Sequence, residues 1–226
     1  MKVFTYIKDN SSRIPKKNFK QLGKLPLWKH LIYEIANSYE VFIDTDSDEV
    51  IRECKLDSKL NNVTAYLRDK KFIDMEEDIF NKLSPALLMV ENFLEKYVDD
   101  ENEIIVLTHV TSPFLTCKTI KKAISFLTTD IETVHSVTCK QDFAWLSSFE
   151  KPINFNPSVV QRTQDLDKIF FSNGAFFIFK KKTFMKYKNR LGKNNFLYEL
   201  DHIEGIEIDN FDDLEFAKLI HKSKIN

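Results

Sequence analysis

Apolar positions fall into short runs between polar stretches, and the periods in which they recur predict alternating strands and helices. Residues 3–7 (VFTYI) read as a short buried strand that runs into a polar loop over 8–17. Pro26 stands where a helix begins, and residues 27–36 (LWKHLIYEIA) carry apolar side chains at helical spacing. A second strand is predicted over 40–44, with Asp46 or Ser47 capping the helix that follows. Ser84 and Pro85 form a cap and first-turn pair ahead of a helix over 86–97. Residues 104–108 (IIVLT) are the cleanest buried strand. Thr116 or Thr119 opens a helix through Phe126, and 133–137 is another strand. The periodicity breaks down over 139–167, where the aromatics Phe143, Trp145, Phe149 and Phe155 stand among loops. Strands return over 174–179 and 206–208. The last helix starts near Asn210, with Asp212 and Asp213 in its first turn, where they complement the helix dipole.

This alternation predicts an α/β fold, with a mostly parallel central sheet and helices on both faces. The 226 residues suit a single domain over 1–226 that carries an excursion at about 139–172. Ligands of such sheets bind beyond the carboxyl ends of the strands. The polar residues just after the strands are therefore the candidates for chemistry.

Composition narrows the partners. Lysine plus arginine (33) nearly cancels aspartate plus glutamate (34), so nothing draws the chain as a whole to nucleic acid or anionic lipid, and any anion site must be local. No apolar run approaches the roughly 20 residues of a membrane span, and the start is too short in apolar residues for a signal peptide. A soluble, cytoplasmic protein is expected. Cys54, Cys117 and Cys139 are odd in number and widely spaced, and the histidines form no HxxxH pair, so neither a disulfide framework nor a zinc site is expected.

The loop after the first strand gathers Lys8, Arg13, Lys16 and Lys17 with the hydroxyls of Ser11 and Ser12. A triphosphate needs several cations and many donors, and this loop offers both. Taken alone, it reads equally as a solvated basic turn, since it lacks GxxxxGK[ST].

The stretch SSRIPKKNFKQLGKLPLWKHLI (11–32) resembles the opening of the acylneuraminate cytidylyltransferase family, which includes CMP-sialic acid and CMP-Kdo synthetases and begins ARGGSKRIPGKN…GKPL. Ser11, Arg13, Ile14, Pro15, Lys17 and Asn18 match position by position, with Lys8 in place of an arginine. Asp9-Asn10 replaces the family's glycine pair and Ser12 replaces a lysine. The likeness continues in VFIDTDSDEVI (41–51), VLTHVTSPFL (106–115), Gln161–Asp165 with Ser172–Ala175, and Gly205–Leu214. It implies a Rossmann-like nucleotidyltransferase fold and a magnesium-assisted transfer of CMP from CTP to an acidic sugar, such as a nonulosonic acid, in surface polysaccharide biosynthesis. Lys8, Ser11, Arg13, Lys17 and Asn18 are thereby assigned to the nucleotide, and Arg68 to the base. His109, Arg162, Gln164 and Asn173 are assigned to the sugar, with Arg162 matched to its carboxylate. Asp209 is the expected direct Mg²⁺ ligand and Glu207 a water-mediated one; two apart on a regular strand, they would face opposite ways. Lys17 and Asp209 are the expected catalytic pair. A homodimer is implied, with 139–155 reaching the other subunit. Rival readings are the same chemistry on Kdo or a phosphonate, a glycosyltransferase using Asp44-Thr45-Asp46 as DxD, and an inactive nucleotide-binding homologue.

Overall fold

The computed structural model describes residues 1–78, 80, 84–148 and 150–225; Phe149 of the aromatic stretch lies outside the described residues. In chain order the elements are β1 (Lys2–Ile7), β2 (Gln21–Leu22), β3 (Leu25–Pro26), α1 (Leu27–Ile35), β4 (Glu40–Thr45), α2 (Asp48–Leu56), β5 (Val63–Leu67), α3 (Lys70–Glu77), α4 (Ala86–Tyr97), β6 (Ile104–Thr108), α5 (Cys117–Ile124), β7 (Thr133–Lys140), β8 (Trp145–Leu146), β9 (Lys151–Pro152), β10 (Ile169–Lys180), α6 (Lys181–Tyr187), β11 (Asn195–Glu199) and α7 (Phe211–Ile225).

Seven strands form one sheet in the order β11-β7-β10-β6-β1-β4-β5. β1 runs parallel to β4 and β6, β4 to β5, and β7 to β11, while β10 runs antiparallel between β6 and β7. Burial on both faces explains why β1, β4 and β6 are continuous apolar runs. One face carries Val3, Ile7, Val41, Ile43 and Val106, covered by α1, α2 and α5. The other carries Phe4, Phe42, Leu107 and Phe177, covered by α3, α4 and α6. A third cluster lies off the sheet, where Ile14, Leu22, Leu27, Phe114, Ile208, Leu214 and Ala217 pack together.

Helix starts follow the sequence with one exception. Ser84 Oγ accepts from Ala86 N–H at 3.2 Å, and Thr116 Oγ1 accepts from Thr119 N–H at 3.2 Å. Neither Asp46 nor Ser47 caps α2 through its side chain, because Asp46 Oδ1 is taken by the backbone N–H of Asp9 at 2.6 Å. At α7, Asn210 Oδ1 accepts from Asp213 N–H at 3.0 Å. Asp213 Oδ2 returns the contact to the N–H groups of Asn210 (2.9 Å) and Asp209 (2.8 Å), a reciprocal cap.

Three expectations are corrected. Residues 206–208 do not form a strand; they run as an extended segment fixed by Ile208 N–H donating to Thr111 O at 2.9 Å. β10 begins at Ile169, ahead of the expected 174, and carries a register shift between Ser172 and Phe177. The irregular stretch 139–167 contains a small β8–β9 hairpin. The edge strands β5 and β11 went unforeseen because each spans five residues and none of these is buried, so neither writes a continuous apolar run.

Phe93 of α4 is fully buried, stacked on Phe4 at 4.5 Å and 12° and tilted against Phe42 at 5.1 Å. Phe93→Ala is expected to destabilise the fold by about 3–5 kcal/mol, read by urea denaturation. A loss under about 1 kcal/mol would contradict this packing.

Candidate active site

A cleft of about 270 Å³ opens at the carboxyl ends of β1 and β6, lined by Tyr6, Lys8, Ser11, Ser12, Arg13, Lys17, Asn18, His109, Val110, Thr111, Glu207 and Asp209. One wall is the loop after β1. Its turn is closed by Asn10, whose Oδ1 accepts from the N–H groups of Ser11 and Lys16, both at 3.1 Å. In this loop only Lys16 adopts positive φ, at 55°. Asp9 and Asn10 therefore need no glycine: Asn10 shapes the turn by hydrogen bonding rather than by backbone freedom. Asn18 Nδ2 donates to Lys8 O at 2.8 Å and ties the two ends of the loop together.

The opposite wall is the segment before α7. Lys17 Nζ crosses the cleft to donate to Ile208 O at 2.8 Å and to Asp209 Oδ1 at 3.3 Å. Arg13 Nη2 reaches the same Asp209 oxygen at 2.8 Å. Ile14 and Ile208, adjacent to these residues, are fully buried in the shared third cluster, so apolar packing holds the two walls in register.

Because 206–208 is not a regular strand, Glu207 and Asp209 both line the cleft. Burial raises the Glu207 carboxyl to about 7, and the charge of Asp209 pushes the same way, against Lys17, Arg13 and the Thr111 side chain. No group of three or more His, Cys, Asp and Glu side chains among the described residues could hold a metal. Two carboxylates that line one cleft beside a cationic loop nonetheless suit Mg²⁺, which typically takes one or two carboxylates and completes its shell with water and phosphate. The donor set fits an ion that arrives with a nucleotide.

His109 lines the cleft beside Val110 and Thr111. Its Nε2 meets Tyr6 OH at 2.8 Å. Burial first, then the charge of Arg190, lowers its pKa to about 4, so the imidazole is neutral near pH 7. Gly174, at φ 72°, backs this corner. A Cβ there would lie 3.1 Å from His109 Nδ1 and 3.3 Å from Glu207 Oε1, so only glycine fits.

Four expected site residues lie outside this cleft. Arg68 is buried, its Nε donating to Asp44 Oδ1 at 2.6 Å and its Nη1 to Glu76 Oε2 at 2.9 Å. It acts on the cleft at one remove, because Glu76 Oε2 also pairs with Lys8 Nζ at 3.1 Å. Arg162 is exposed and pairs with Asp165 at 2.7 Å. Gln164 is exposed, and its carbonyl accepts from Gln141 Nε2 at 3.1 Å. Asn173 is buried at the β10 irregularity, its Oδ1 accepting from Ser136 Oγ at 2.6 Å. Asp44-Thr45-Asp46 is spent internally, on Arg68 and on the Asp9 amide. Tyr6, Thr111 and Glu76 were not singled out from sequence. The position of Thr111 just past a strand was a usable signal, whereas Tyr6 was hidden inside an apolar run.

This fold and cleft define a nucleotidyltransferase-like α/β protein. The structure superposes on CMP:2-keto-3-deoxy-manno-octonic acid synthetase complexed with CTP, with a TM-score of 0.70, 14% identity and 98% of each chain covered. It also superposes on 4-diphosphocytidyl-2C-methyl-D-erythritol synthase from Anaerococcus prevotii, with a TM-score of 0.66, 13% identity and 97% and 96% covered. Residues 9–224 match the cytidylyltransferase family model, and the chain belongs to that family. Among curated relatives, it is 25% identical over 217 residues to N-acylneuraminate cytidylyltransferase of Streptococcus agalactiae, covering 91% of this chain and 49% of that protein. It is also 25% identical over 233 residues to pseudaminic acid cytidylyltransferase of Campylobacter jejuni, covering 94% and 92%. The chain thus spans about half the length of the streptococcal relative and nearly all of the other. No helix among the described residues is long and apolar enough to cross a membrane.

The raised Glu207 pKa makes a stability prediction. Its folded value near 7 lies above the ordinary 4.5, so the folded state binds the proton more tightly. That contribution is complete below about pH 4.5 and is lost as pH rises through 7. In chelator and without nucleotide, Glu207→Gln should match the wild-type Tm near pH 4.5. At higher pH, above 7, it should exceed the wild type by roughly 2–4 °C. Equal Tm values above pH 7 would contradict a buried, repelled carboxylate.

Proposed function

We propose that this chain is a cytoplasmic cytidylyltransferase that moves CMP from CTP to an acidic sugar of the nonulosonic acid type and releases pyrophosphate. The observation that carries this reading is the meeting of Lys17 with Asp209 across one cleft. That contact joins the cationic loop to an acid suited to a metal, inside the span matched by the family. The choice of acceptor is supported by relatives named for N-acylneuraminate and pseudaminic acid.

The anomeric hydroxyl attacks the α-phosphate and releases its proton to solvent, the bond to the β-phosphate oxygen breaks, and pyrophosphate departs with the bonding pair. This chemistry depends on positioning and charge neutralisation rather than on covalent catalysis. Lys17, held at a buried site by Ile208 O, presents its ammonium to the leaving phosphates. Lys8, Arg13 and the Ser11 hydroxyl add donors along the same wall, and Asn18 keeps that wall closed. Asp209 and Glu207 would hold magnesium, which would supply further charge neutralisation. Neutral His109, with Tyr6 OH on its Nε2, orients a sugar hydroxyl.

The test is CTP with a panel of N-acylneuraminate, pseudaminic acid, Kdo and a phosphonate, scored by pyrophosphate release. Release that depends on an acidic sugar is expected, whereas CTP binding with no turnover on any member would favour an inactive homologue. Lys17→Ala and Asp209→Ala should each lower kcat by about 10²-fold or more. Near-normal turnover in both would refute the assignment.

The 139–172 excursion supports a homodimer. Phe143, Trp145, Leu146, Ile153, Val160 and Phe171 are all exposed on it, an apolar surface of the kind that marks an interface. Arg162 and Gln164 ride on the same excursion, so a second copy is what would bring them to a sugar site. Sedimentation at micromolar concentration should give a dimer that Val160→Glu shifts toward monomer. A monomeric unmodified chain would end this reading.

A further inference from the structure

Arg190 follows α6 and carries a charge that the fold leaves without a counterion. Its guanidinium carbon lies 3.9 Å from the centroid of the Phe177 ring, and it has no hydrogen bond or ion pair among the described residues. An arginine held over an aromatic ring, with no other partner, keeps donors free for a planar anion. The surroundings are not those of a solvated surface arginine. His135 is buried, lies nearly parallel to the same Phe177 ring at 5.7 Å and 12°, and has an Nδ1 atom without a partner. The positive charge of Arg190 is felt by His135, by His109 and by Tyr6, and the last two line the cleft. Phe177 pairs in register with His135 and with Leu107, two residues before the cleft-lining His109, so arginine, aromatic platform and unpartnered imidazole gather below that end of the cleft, on the sheet face that carries Leu107 and Phe177.

We propose that Arg190 binds the carboxylate of the acceptor, with the ring of Phe177 as its platform and His135 as a neighbouring polar contact. This rests on the reading above that the acceptor is an acidic sugar, and it names the group in this chain that recognises the acid. It also relieves Arg162 of that task within one chain, because Arg162 is exposed and already paired with Asp165. The Arg190 site needs no second copy.

The test compares wild type, Arg190→Ala and Arg190→Met, the last keeping the stem over Phe177 while removing the charge. Each is assayed with CTP and an acidic sugar that the wild type uses, and with the same sugar carrying a neutral carboxamide. CTP affinity is measured separately by calorimetry. Both variants should raise KM for the acid roughly 10- to 100-fold, leave CTP affinity unchanged, and show no added penalty on the carboxamide. An unchanged KM in Arg190→Met, or an equal penalty on acid and carboxamide, overturns the assignment. So does an Arg190→Met chain that fails to fold, since the guanidinium would then be structural. A wild type that turns over no acidic sugar sinks the functional reading and this proposal together. A wild type that does so while Arg190→Met matches it sinks the proposal alone.

Discussion

The ammonium of Lys17 ties together two stretches of chain 191 residues apart, the two walls of the cleft. Alone, a lysine reaching a carbonyl at 2.8 Å and a carboxylate at 3.3 Å would be a modest interaction. Here it is backed by Ile14 and Ile208, which are fully buried side by side with Leu214 and Ala217 of α7. Hydrophobic burial supplies the adhesion, and the lysine fixes the register. The cap of α7 adds a second constraint: Asp213 Oδ2 accepts the Asp209 amide at 2.8 Å, so the backbone that carries the metal-suited acid is set by the helix start. Two of the three acids at this corner thus have separate duties, Asp213 holding the backbone and Asp209 facing the cleft.

Charge in the cleft is balanced internally before any ligand arrives. Arg13 and Lys17 share Asp209, Lys8 shares Glu76 with buried Arg68, and Lys16 pairs with Asp9. Such pairing keeps cations ordered at positions a polyphosphate could use, at the cost that phosphate must compete with carboxylate for each of them. A divalent cation on these acids would shift that competition, because it would free the bases. Glu207 shows the same balance from the acid side, since burial and then the charge of Asp209 raise its proton affinity against Lys17 and Arg13. The family's glycine pair is missing from the loop, yet Asn10 closes the turn with two hydrogen bonds at 3.1 Å, so the wall retains its shape by different chemistry.

The parts legible in the sequence were those written in local pattern. β1, β4, β6 and α4 are uniform apolar runs or strong helical repeats, and the Thr116 and Ser84 starts followed from cap chemistry. The cationic wall was legible because its residues are contiguous, from Lys8 to Asn18. The rest depended on tertiary geometry. The opposition of Glu207 and Asp209 followed from assuming a strand over 206–208; the bond from Ile208 N–H to Thr111 O replaces it with an extended segment that turns both acids inward. Arg68 carries a motif-like position, but Asp44 and Glu76 enclose it, and no linear pattern reports a buried ion pair between three elements.

The sugar side was least legible, for a physical reason. A phosphate wall can be built from one loop, because any donor near the end of a strand will meet a phosphate. An acceptor pocket must recognise a shape, and the residues proposed for it come from β1 (Tyr6), the turn after β6 (His109), the irregularity in β10 (Gly174), β7 (His135) and the segment after α6 (Arg190). None of these stands near another in sequence, and several look ordinary by type. Gly174 shows how tightly they are bound together: its missing side chain leaves only 3.1 Å to His109 and 3.3 Å to Glu207, so the β10 irregularity sets the distance between the neutral imidazole and the acid. The register shift between Ser172 and Phe177 therefore acts at both ends, turning Gly174 toward the cleft and Phe177 toward Arg190. A single backbone irregularity in one antiparallel strand thereby sets Gly174 against both Glu207 and His109 of the cleft.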